Sequence, residues 1–329
     1  MKVSVIMPVK NEEKSIVEVL RSLLDQTRAP DEIIITDGGS TDRTIELINR
    51  FIEEGAPIRL FREKEALPGK GRNVAIANAS FDIIALTDAG TILTGNWLKS
   101  LIEPLDASPD TQIVYGVQGY YAKTFFEKCF VVVYRPPGKA YNGKMLYYPY
   151  MGSLLIKKEV WKKTGGIRED LRAAEDLLFF QKIRLEKFRS TVMPEAIAYW
   201  RPRSNFKETF IMGYTYSECD ALAGMHGSNY VKKFLRYALG TCLLTVGFHH
   251  HIYYGLLIAG ILLISAVICR KNWKEFINTA IRNPFAYFMV IAIMVSLDVS
   301  SMAGYLKGLL SKRSSLTKLT GMPKLTKIL

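Results

Sequence analysis

The chain has 329 residues, enough for about two domains with a large buried core, which excludes a small disulfide-stapled scaffold or a disordered chain. It has 44 Lys and Arg against 31 Asp and Glu, a net charge of +13. The last 60 residues contain ten of the basic residues and two of the acidic ones, beside apolar runs. This combination favours an anionic membrane surface over nucleic acid as a partner. The four cysteines lack the spacing of a zinc or disulfide framework, as expected in a reducing compartment.

Residues 1–120 alternate short apolar, β-branched runs with amphipathic helical segments. Strands are predicted at residues 3–7, 32–36, 58–61, 82–86 and 112–118, and helices at residues 12–26, 41–51, 71–79 and 97–105. Near-continuous apolar strands separated by helices are typical of a mainly parallel sheet covered on both faces. The predicted fold class is therefore α/β, with ligands expected at the carboxyl ends of the strands.

Residues 121–215 give a mixed pattern. A strand is predicted at residues 151–157, helices at residues 158–163 and 175–187, and two short strands near Thr191 and Ala198. The composition then becomes apolar: residues 252–269 carry no charge, residues 285–306 carry only Asp298, and the shorter segment 235–248 carries Arg236. A membrane-spanning helix needs ~20 apolar residues, so the first two segments qualify. We predict two domains, residues 1–232 and a membrane-associated helical region, residues 233–329, with a basic tail.

The charge distribution and the amino-terminal sequence predict on which side of the membrane the first domain and the basic segments lie. The first apolar run is too short for a signal peptide, so the first domain is expected to remain where it is synthesised. Positive charges on both sides of residues 285–306 favour a cytoplasmic position for both flanks. That topology fits a hairpin at residues 235–269 with residues 285–306 re-entrant or interfacial, whereas two plain spans would place the first loop outside.

Four polar clusters follow the predicted strands. They are Pro8, Val9, Asn11 and Glu12 after the first strand, Asp37-Gly-Gly-Ser40 after the second, Arg72 at a helix start, and Asp88-Ala-Gly90 after the fourth. A carboxylate at a strand tip can accept an N–H from a flat base, and glycine permits close backbone approach. A carboxylate such as Asp88 can also hold a divalent cation or a ribose hydroxyl. Taken singly, each cluster can equally be an ordinary turn or a solvated helix start.

In this order the clusters resemble the family-2 glycosyltransferases of the GT-A fold. The resemblance continues in Gly152-Ser-Leu-Leu-Ile, Gly165-Gly-Ile-Arg-Glu169 and Ala174-Glu-Asp-Leu177, and it covers residues 1–215. It implies that residues 1–232 form a GT-A catalytic domain that uses a nucleotide-sugar donor. Two departures matter: Gly38 stands where many members have a second Asp, and Gly90 stands where they complete an Asp-x-Asp motif.

The resemblance also implies residue roles. Pro8, Val9, Asn11 and Glu12 would line the nucleotide pocket, Asp37 would contact the base with Arg72 nearby, and Asp88 would reach the ribose and a divalent cation, Mg²⁺ or Mn²⁺. Asp176, next to Glu175, would be the catalytic base. With one metal-binding carboxylate missing, Arg201 or Arg203 can instead neutralise the leaving diphosphate, although a basic surface loop explains them equally well.

Transfer from a nucleotide sugar needs a base for the acceptor hydroxyl and charge neutralisation for the leaving diphosphate. One carboxylate acting in a single displacement inverts the anomeric centre. We therefore predict an inverting glycosyltransferase at the cytoplasmic side of the cell membrane, with a lipid-linked or membrane-proximal acceptor in cell-envelope polysaccharide or glycolipid synthesis. The alternatives are a polyprenyl-phosphate sugar synthase and a non-catalytic nucleotide-sugar-binding subunit. Nucleic acid is not an expected partner.

Overall fold

The computed structural model describes residues 1–134, 139–141, 144–146, 149–249 and 283–318. Internal contacts divide the chain into two compact units. The first unit comprises Met1–Ala122 and Gly138–Pro202, and the second comprises Lys123–Pro137 and Arg203–Leu329. The boundary at residue 232 that the sequence suggests remains a prediction about which part folds and binds donor by itself.

The described strands are β1 (Val3–Val9), β2 (Glu32–Asp37), β3 (Ile58–Arg62), β4 (Ile83–Leu86), β5 (Thr91–Leu93), β6 (Ile113–Tyr120), β7 (Lys139–Tyr141), β8 (Lys144–Leu146), β9 (Leu154–Lys157) and β10 (Ser190–Trp200). The described helices are α1 (Ile16–Leu24), α2 (Thr44–Glu53), α3 (Pro68–Ala77), α4 (Trp97–Ala107), α5 (Phe125–Tyr134), α6 (Lys158–Lys163), α7 (Glu175–Leu185), α8 (Phe206–Ala223), α9 (Gly227–His249) and α10 (Pro284–Lys318).

The first unit is built on a sheet of eight strands in the order β3-β2-β1-β4-β9-β6-β10-β5. β1 pairs in parallel with β2 and β4, and β2 pairs in parallel with β3. Alternate residues of β1 enter two hydrophobic cores, one packed under α1, α2 and α4 and the other under α3, α6 and α7. Both faces are thus covered, which explains why the strands are apolar throughout. The predicted α/β class is confirmed.

Two features of the sheet differ from the prediction. β9 lies antiparallel between β4 and β6, and β5 pairs antiparallel with β10, so the sheet is mixed. The two short strands expected near Thr191 and Ala198 are one strand, β10, whose register along β6 shifts between Val192 and Ile197. The polar and proline residues in that shift, such as Pro194, break the apolar pattern without breaking the strand.

In the second unit, α8 and α10 run side by side in the same direction. A Cβ on Gly304 would lie 2.1 Å from the Tyr214 carbonyl oxygen, and one on Gly308 would lie 2.5 Å from that of Glu218. Only residues without a side chain permit this backbone approach. The side of α10 that carries Gly304 and Gly308 is therefore a helix-packing face.

The predicted membrane segments are described in part. Residues 252–269 lie outside the described residues, and residues 235–248 form the end of α9. Within the described part of the chain, Phe285–Lys312 is the one helical segment long and apolar enough to cross a membrane, and 39% of its most apolar stretch is buried against protein. These properties give weak support to a membrane association.

Candidate active site

The turns after β1 and β2 are tied together. The Asn11 side-chain oxygen accepts the Thr41 N–H at 2.8 Å, and the Asn11 N–H donates to the Ser40 hydroxyl at 2.9 Å. Asn11 adopts φ 54°, a left-handed conformation that asparagine tolerates better than most residues. Because Val9 and Asp37 are paired in register, the two strand ends open at the same edge of the sheet.

Asp37 lies fully buried at the tip of β2. Its carboxylate accepts the backbone N–H groups of Gly39 at 3.0 Å and of Ser40 at 3.1 Å. A Cβ on Gly38 would lie 2.5 Å from the Ala66 carbonyl oxygen, so the second aspartate of many relatives has no room here. This departure from the family pattern therefore has a local steric cause.

Pro8 and Glu12 border the remaining clusters. A Cβ on Gly71 would lie 3.0 Å from the Cβ of Pro8, so the start of α3 packs closely on the end of β1. The Glu12 carboxylate accepts a hydrogen bond from the Ser15 hydroxyl, and its Oε1 lies 4.0 Å from the position of a Cβ on Gly90. The first and fourth clusters are thus neighbours in space, as the strand order requires.

Arg72 is the centre of the site. Its guanidinium is buried and donates from Nη2 to Asp88 Oδ1 at 2.7 Å and from Nη1 to Glu175 Oε1 at 2.8 Å. Burial lowers the pKa of Arg72, but the two carboxylates outweigh burial and hold it above its ordinary value. The third and fourth clusters are therefore joined to the start of α7 by one permanently charged side chain.

Glu175 and Asp176 begin α7, immediately after Ala174, which has φ 67°. Glu175 is buried, and its Oε2 atom has no hydrogen-bond partner among the residues that the structure describes. Removal from water and the neighbouring Glu175 carboxylate raise the pKa of Asp176 to about 6, although Arg72 acts in the opposite direction. Asp176 can therefore be ionised near neutral pH and is a stronger proton acceptor than an ordinary aspartate.

Asn73 is a residue whose role the sequence did not reveal. Its side-chain oxygen accepts the Trp161 indole N–H at 2.8 Å and the Ile167 N–H at 3.0 Å, while its amide nitrogen donates to the Ile167 carbonyl at 2.7 Å. Asn73 therefore fixes the chain that follows the Gly165-Gly166 turn. The signal for this role is the run Gly71-Arg72-Asn73 at the start of α3, in which Arg72 supplies the charge and Asn73 makes the hydrogen bonds that fix the following loop.

Arg201 contacts residues that lie outside the four polar clusters. Its guanidinium forms an ion pair with Glu18 on α1 and lies 6.0 Å from the centre of the Tyr121 ring. Arg203 is the first residue of the second unit after Pro202. A role of either arginine at a diphosphate remains a prediction.

A divalent cation at this edge of the sheet would have few protein ligands. Among the described residues, no group of three or more His, Cys, Asp or Glu side chains is arranged to hold a metal ion. Asp88 keeps 29% of its side chain exposed while one oxygen contacts Arg72, and Gly90 supplies no ligand. The donor set fits a cation that takes most of its oxygens from substrate and water, as Mg²⁺ commonly does.

The mixed sheet with helices on both faces is GT-A-like, and comparison with known proteins agrees. The sequence model described as Glycosyl transferase family 2 matches residues 4–147. These residues form a family-2 glycosyltransferase domain.

Three comparisons with relatives and solved structures extend beyond that domain. Poly(ribitol-phosphate) beta-N-acetylglucosaminyltransferase TarS of Staphylococcus aureus is 26% identical over 205 residues, covering 61% of this chain and 35% of TarS. The uncharacterized glycosyltransferase EpsJ of Bacillus subtilis is 25% identical over 217 residues, covering 62% of each chain. The chain thus spans about a third of TarS and less than two thirds of EpsJ. The solved structure of the mannosyltransferase PcManGT from Pyrobaculum calidifontis, in complex with GDP-Man and Mn²⁺, superimposes on this chain with a TM-score of 0.56. The superposition covers 92% of this chain and 87% of PcManGT at 20% sequence identity, which shows a shared fold.

Proposed function

We propose that the chain transfers a sugar from a nucleotide-sugar donor to an acceptor hydroxyl with inversion of the anomeric centre. The observation that carries the proposal is the Arg72 bridge, which places Asp88 and the Glu175-Asp176 pair around one buried charge. Ligands of open α/β sheets bind at the carboxyl ends of the strands, where this bridge lies.

In this proposal the donor nucleotide lies over the ends of β1 and β2. Pro8, Val9, Asn11 and Glu12 line its pocket, and Asp37 accepts an N–H from the base. Asp88 contacts the ribose and would hold a divalent cation, Mg²⁺ or Mn²⁺. When bound, the cation would supply positive charge at the leaving diphosphate, and Arg201 or Arg203 is the alternative source of this charge within the chain.

Asp176 acts as the general base. It takes the proton of the acceptor hydroxyl while the hydroxyl oxygen bonds to the anomeric carbon and the bond from that carbon to the diphosphate breaks. The attack comes from the face opposite the diphosphate, so a single displacement inverts the centre. The raised pKa of Asp176 suits this role, because a base that titrates nearer the working pH accepts the proton more readily.

We also propose that the acceptor is lipid-linked or close to a membrane, in the synthesis of cell-envelope polysaccharide or glycolipid. The apolar and basic character of α9 and α10 supports this localisation at the cytoplasmic side of the membrane. The names of the relatives, one of which acts on poly(ribitol-phosphate), are compatible with an envelope acceptor.

The test uses the purified full-length protein and a panel of UDP-, GDP- and dTDP-sugars. A donor that binds the folded state raises the melting temperature, and this donor is then radiolabelled and offered with acceptor membranes. We expect transfer by the wild type and none by Asp176→Asn, which should keep the donor-dependent thermal shift. A shift without transfer by the wild type would indicate the non-catalytic alternative, and no shift with any donor would overturn the proposal.

A further inference from the structure

The solvent-exposed side of α10 is apolar over seven turns. Its large exposed residues recur every three to seven positions, as expected for one face of a helix: Phe285, Phe288, Val295, Val299, Leu306 and Leu310. Phe285 is 77% exposed and Leu310 is 66% exposed. From the first to the last of these residues the helix extends about 38 Å. A face of this length has no counterpart on an ordinary soluble helix, which turns its polar side outward.

The protein-facing side of α10 is apolar from Ala286 to Met294 and becomes small and polar from Asp298 onward. Asp298, Ser300 and Ser301 are buried, and a Cβ on Gly213 of α8 would lie 2.3 Å from the Ser300 hydroxyl oxygen. The Asp298 carboxylate contacts α9 through Lys233 Nζ at 2.7 Å and Arg236 at 3.6 Å. The helix therefore buries Asp298, the one charged residue among residues 285–306, against protein and leaves large apolar residues outside, the arrangement of a helix that faces lipid.

The position of the charges argues against a helix that crosses the bilayer. Asp298 is at the middle of the apolar segment Phe285–Lys312, so a crossing would bring Asp298, Lys233 and Arg236 to the centre of the hydrocarbon. Charges at that depth are costly and rare. Lys233 and Arg236 also keep 22% and 34% of their side chains exposed, and hydrocarbon would meet that surface.

The charged residues of α8, which packs along α10, also argue against a helix that crosses the bilayer. α8 lies along α10 from Gly213, beside Ser300, to Gly224, whose Cβ would lie 3.4 Å from Lys312 Nζ. α8 carries four charged residues, namely Lys207, Glu208, Glu218 and Asp220. A crossing α10 would carry these charged residues toward the bilayer, whereas an α10 that lies flat allows them to stay on the water side.

The charge of the two helices indicates which surface they meet. α9 and α10 together contain seven basic residues and one acidic residue, a net charge of +6. Lys232 and Lys307 are exposed, and α9 has its own exposed apolar residues at Val231, Leu235 and Leu239. Apolar residues beside basic ones match an interface of acyl chains and anionic head groups.

We propose that α10 lies in the plane of an anionic membrane surface, with its Phe285-to-Leu310 face in the outer acyl chains of one leaflet. The basic residues of α9 and α10 then contact the lipid head groups. This attachment does not depend on the transfer reaction, and it goes beyond the proposed function by stating how the second unit meets the membrane.

The test measures the depth of residue 299. In the full-length protein with Cys242 and Cys269 replaced by serine, Val299→Cys is labelled with an environment-sensitive fluorophore and bound to phosphatidylcholine–phosphatidylglycerol vesicles. Cys129 and Cys219 are buried. Lipids with a nitroxide quencher near the head group should quench the label more strongly than lipids with the quencher near the chain end. The matched control is Leu185→Cys, an exposed leucine of the first unit, which should not be quenched.

Three outcomes would overturn the proposal. Stronger quenching by the deep nitroxide would show a crossing helix, and no quenching would show that protein or water covers the face. Equal binding to vesicles with and without phosphatidylglycerol would show that charge has no role. The double substitution Lys232→Gln, Lys307→Gln should weaken binding to the anionic vesicles about tenfold or more, since it removes two of the basic residues that contact the head groups. Wild-type helix content by circular dichroism and a wild-type melting temperature verify folding in every variant. Because these readouts need no donor, they separate this result from a failure of the proposed transfer. If Val299→Cys does not fold, Leu306→Cys replaces it.

Discussion

Arg72 joins two carboxylates, Asp88 and Glu175, that lie far apart in the sequence. Its partners Asp88 and Glu175 occupy a loop and a helix start, and Asp176 experiences its charge as well. A buried ion pair does little for stability as a whole, but removing one partner leaves a charge without compensation. The stability and the chemistry of the site therefore depend on the same guanidinium.

Arg72→Met should lower the free energy of unfolding by about 3–5 kcal/mol, because Glu175 then remains buried and unpaired. Urea unfolding at neutral pH measures this loss. Arg43→Met is the matched control, since Arg43 pairs with Glu46 on the exposed surface, and it should produce no measurable change. Equal effects of the two substitutions would contradict the importance of the buried bridge.

The turnover rate of the wild type should rise with pH across about 6, where Asp176 ionises. The cause is that only the ionised carboxylate can accept the acceptor proton. Asp176→Asn should lose transfer at every pH while keeping the donor-dependent thermal shift. Asp170→Asn, which alters a carboxylate paired with Arg168 at the surface, should keep both the rate and its pH profile. A pH profile without a step near this value would assign the base to another group.

The same carboxylate should reduce stability. Its pKa is raised from 3.8 to about 6 in the folded protein, so the folded state holds the proton more tightly than the unfolded state. This favours folding below the lower value, and the advantage is lost as the pH rises to about 6. Asp176→Asn should therefore raise the free energy of unfolding at pH 7.5 by about 1–3 kcal/mol, with the gain shrinking toward acid pH. Urea titrations at several pH values check the sign, and a variant less stable than the wild type at neutral pH would contradict it.

At the scale of elements, the packing of α8 on α10 depends on glycine. Gly304→Ala places a methyl group 2.1 Å from the Tyr214 carbonyl oxygen, so the two helices must separate. Despite the better helix propensity of alanine, we expect a net loss of about 1–3 kcal/mol. Thermal unfolding measures this loss of stability, and faster proteolysis of α8 in the variant checks that the two helices have separated.

Gly95→Ala is the control for this effect. Nothing lies within 4 Å of a Cβ at Gly95, so its stability should stay close to that of the wild type. If Gly304→Ala were equally harmless, α8 and α10 would have to be farther apart than the glycine contacts indicate.

At the scale of the whole molecule, the two compact units suggest that donor binding and membrane binding can be separated. A chain that ends at Lys232 keeps every element of the first unit and loses α10. We expect it to show the same donor-dependent thermal shift as the full chain but to transfer poorly to acceptor in vesicles, because it is no longer held near the membrane.

In that shorter chain, α8 also loses the neighbour that covers Gly213 and the backbone of Tyr214. Trypsin should therefore cut after Lys207 faster than in the full-length protein. A shorter chain that shows no donor shift would mean that the first unit needs the second to fold. One that glycosylates vesicle acceptor as fast as the full chain would mean that the helical region does not bring the enzyme to its substrate.

The sequence by itself determined the alternation of strands and helices and the positions of the polar clusters at strand ends. Both follow from local rules: an apolar β-branched run between turn residues predicts a buried strand, and a strand-end carboxylate predicts a binding edge. The segments around Asp37, Arg72 and Asp88 were found in this way. The likeness to family-2 glycosyltransferases depends on the same residues.

Only the tertiary structure decided which of these residues touch. The Arg72–Glu175 hydrogen bond joins positions 103 residues apart, and no periodicity encodes a contact between such distant positions. The antiparallel insertion of β9 between β4 and β6 likewise depends on the closure of the whole sheet. For α10, the sequence shows an apolar run with one aspartate, while the packing turned that aspartate toward α9 and left the apolar side outward. The physical reason is common to all three: local patterns set the period of a segment, and the choice of partner depends on the packing of the complete chain.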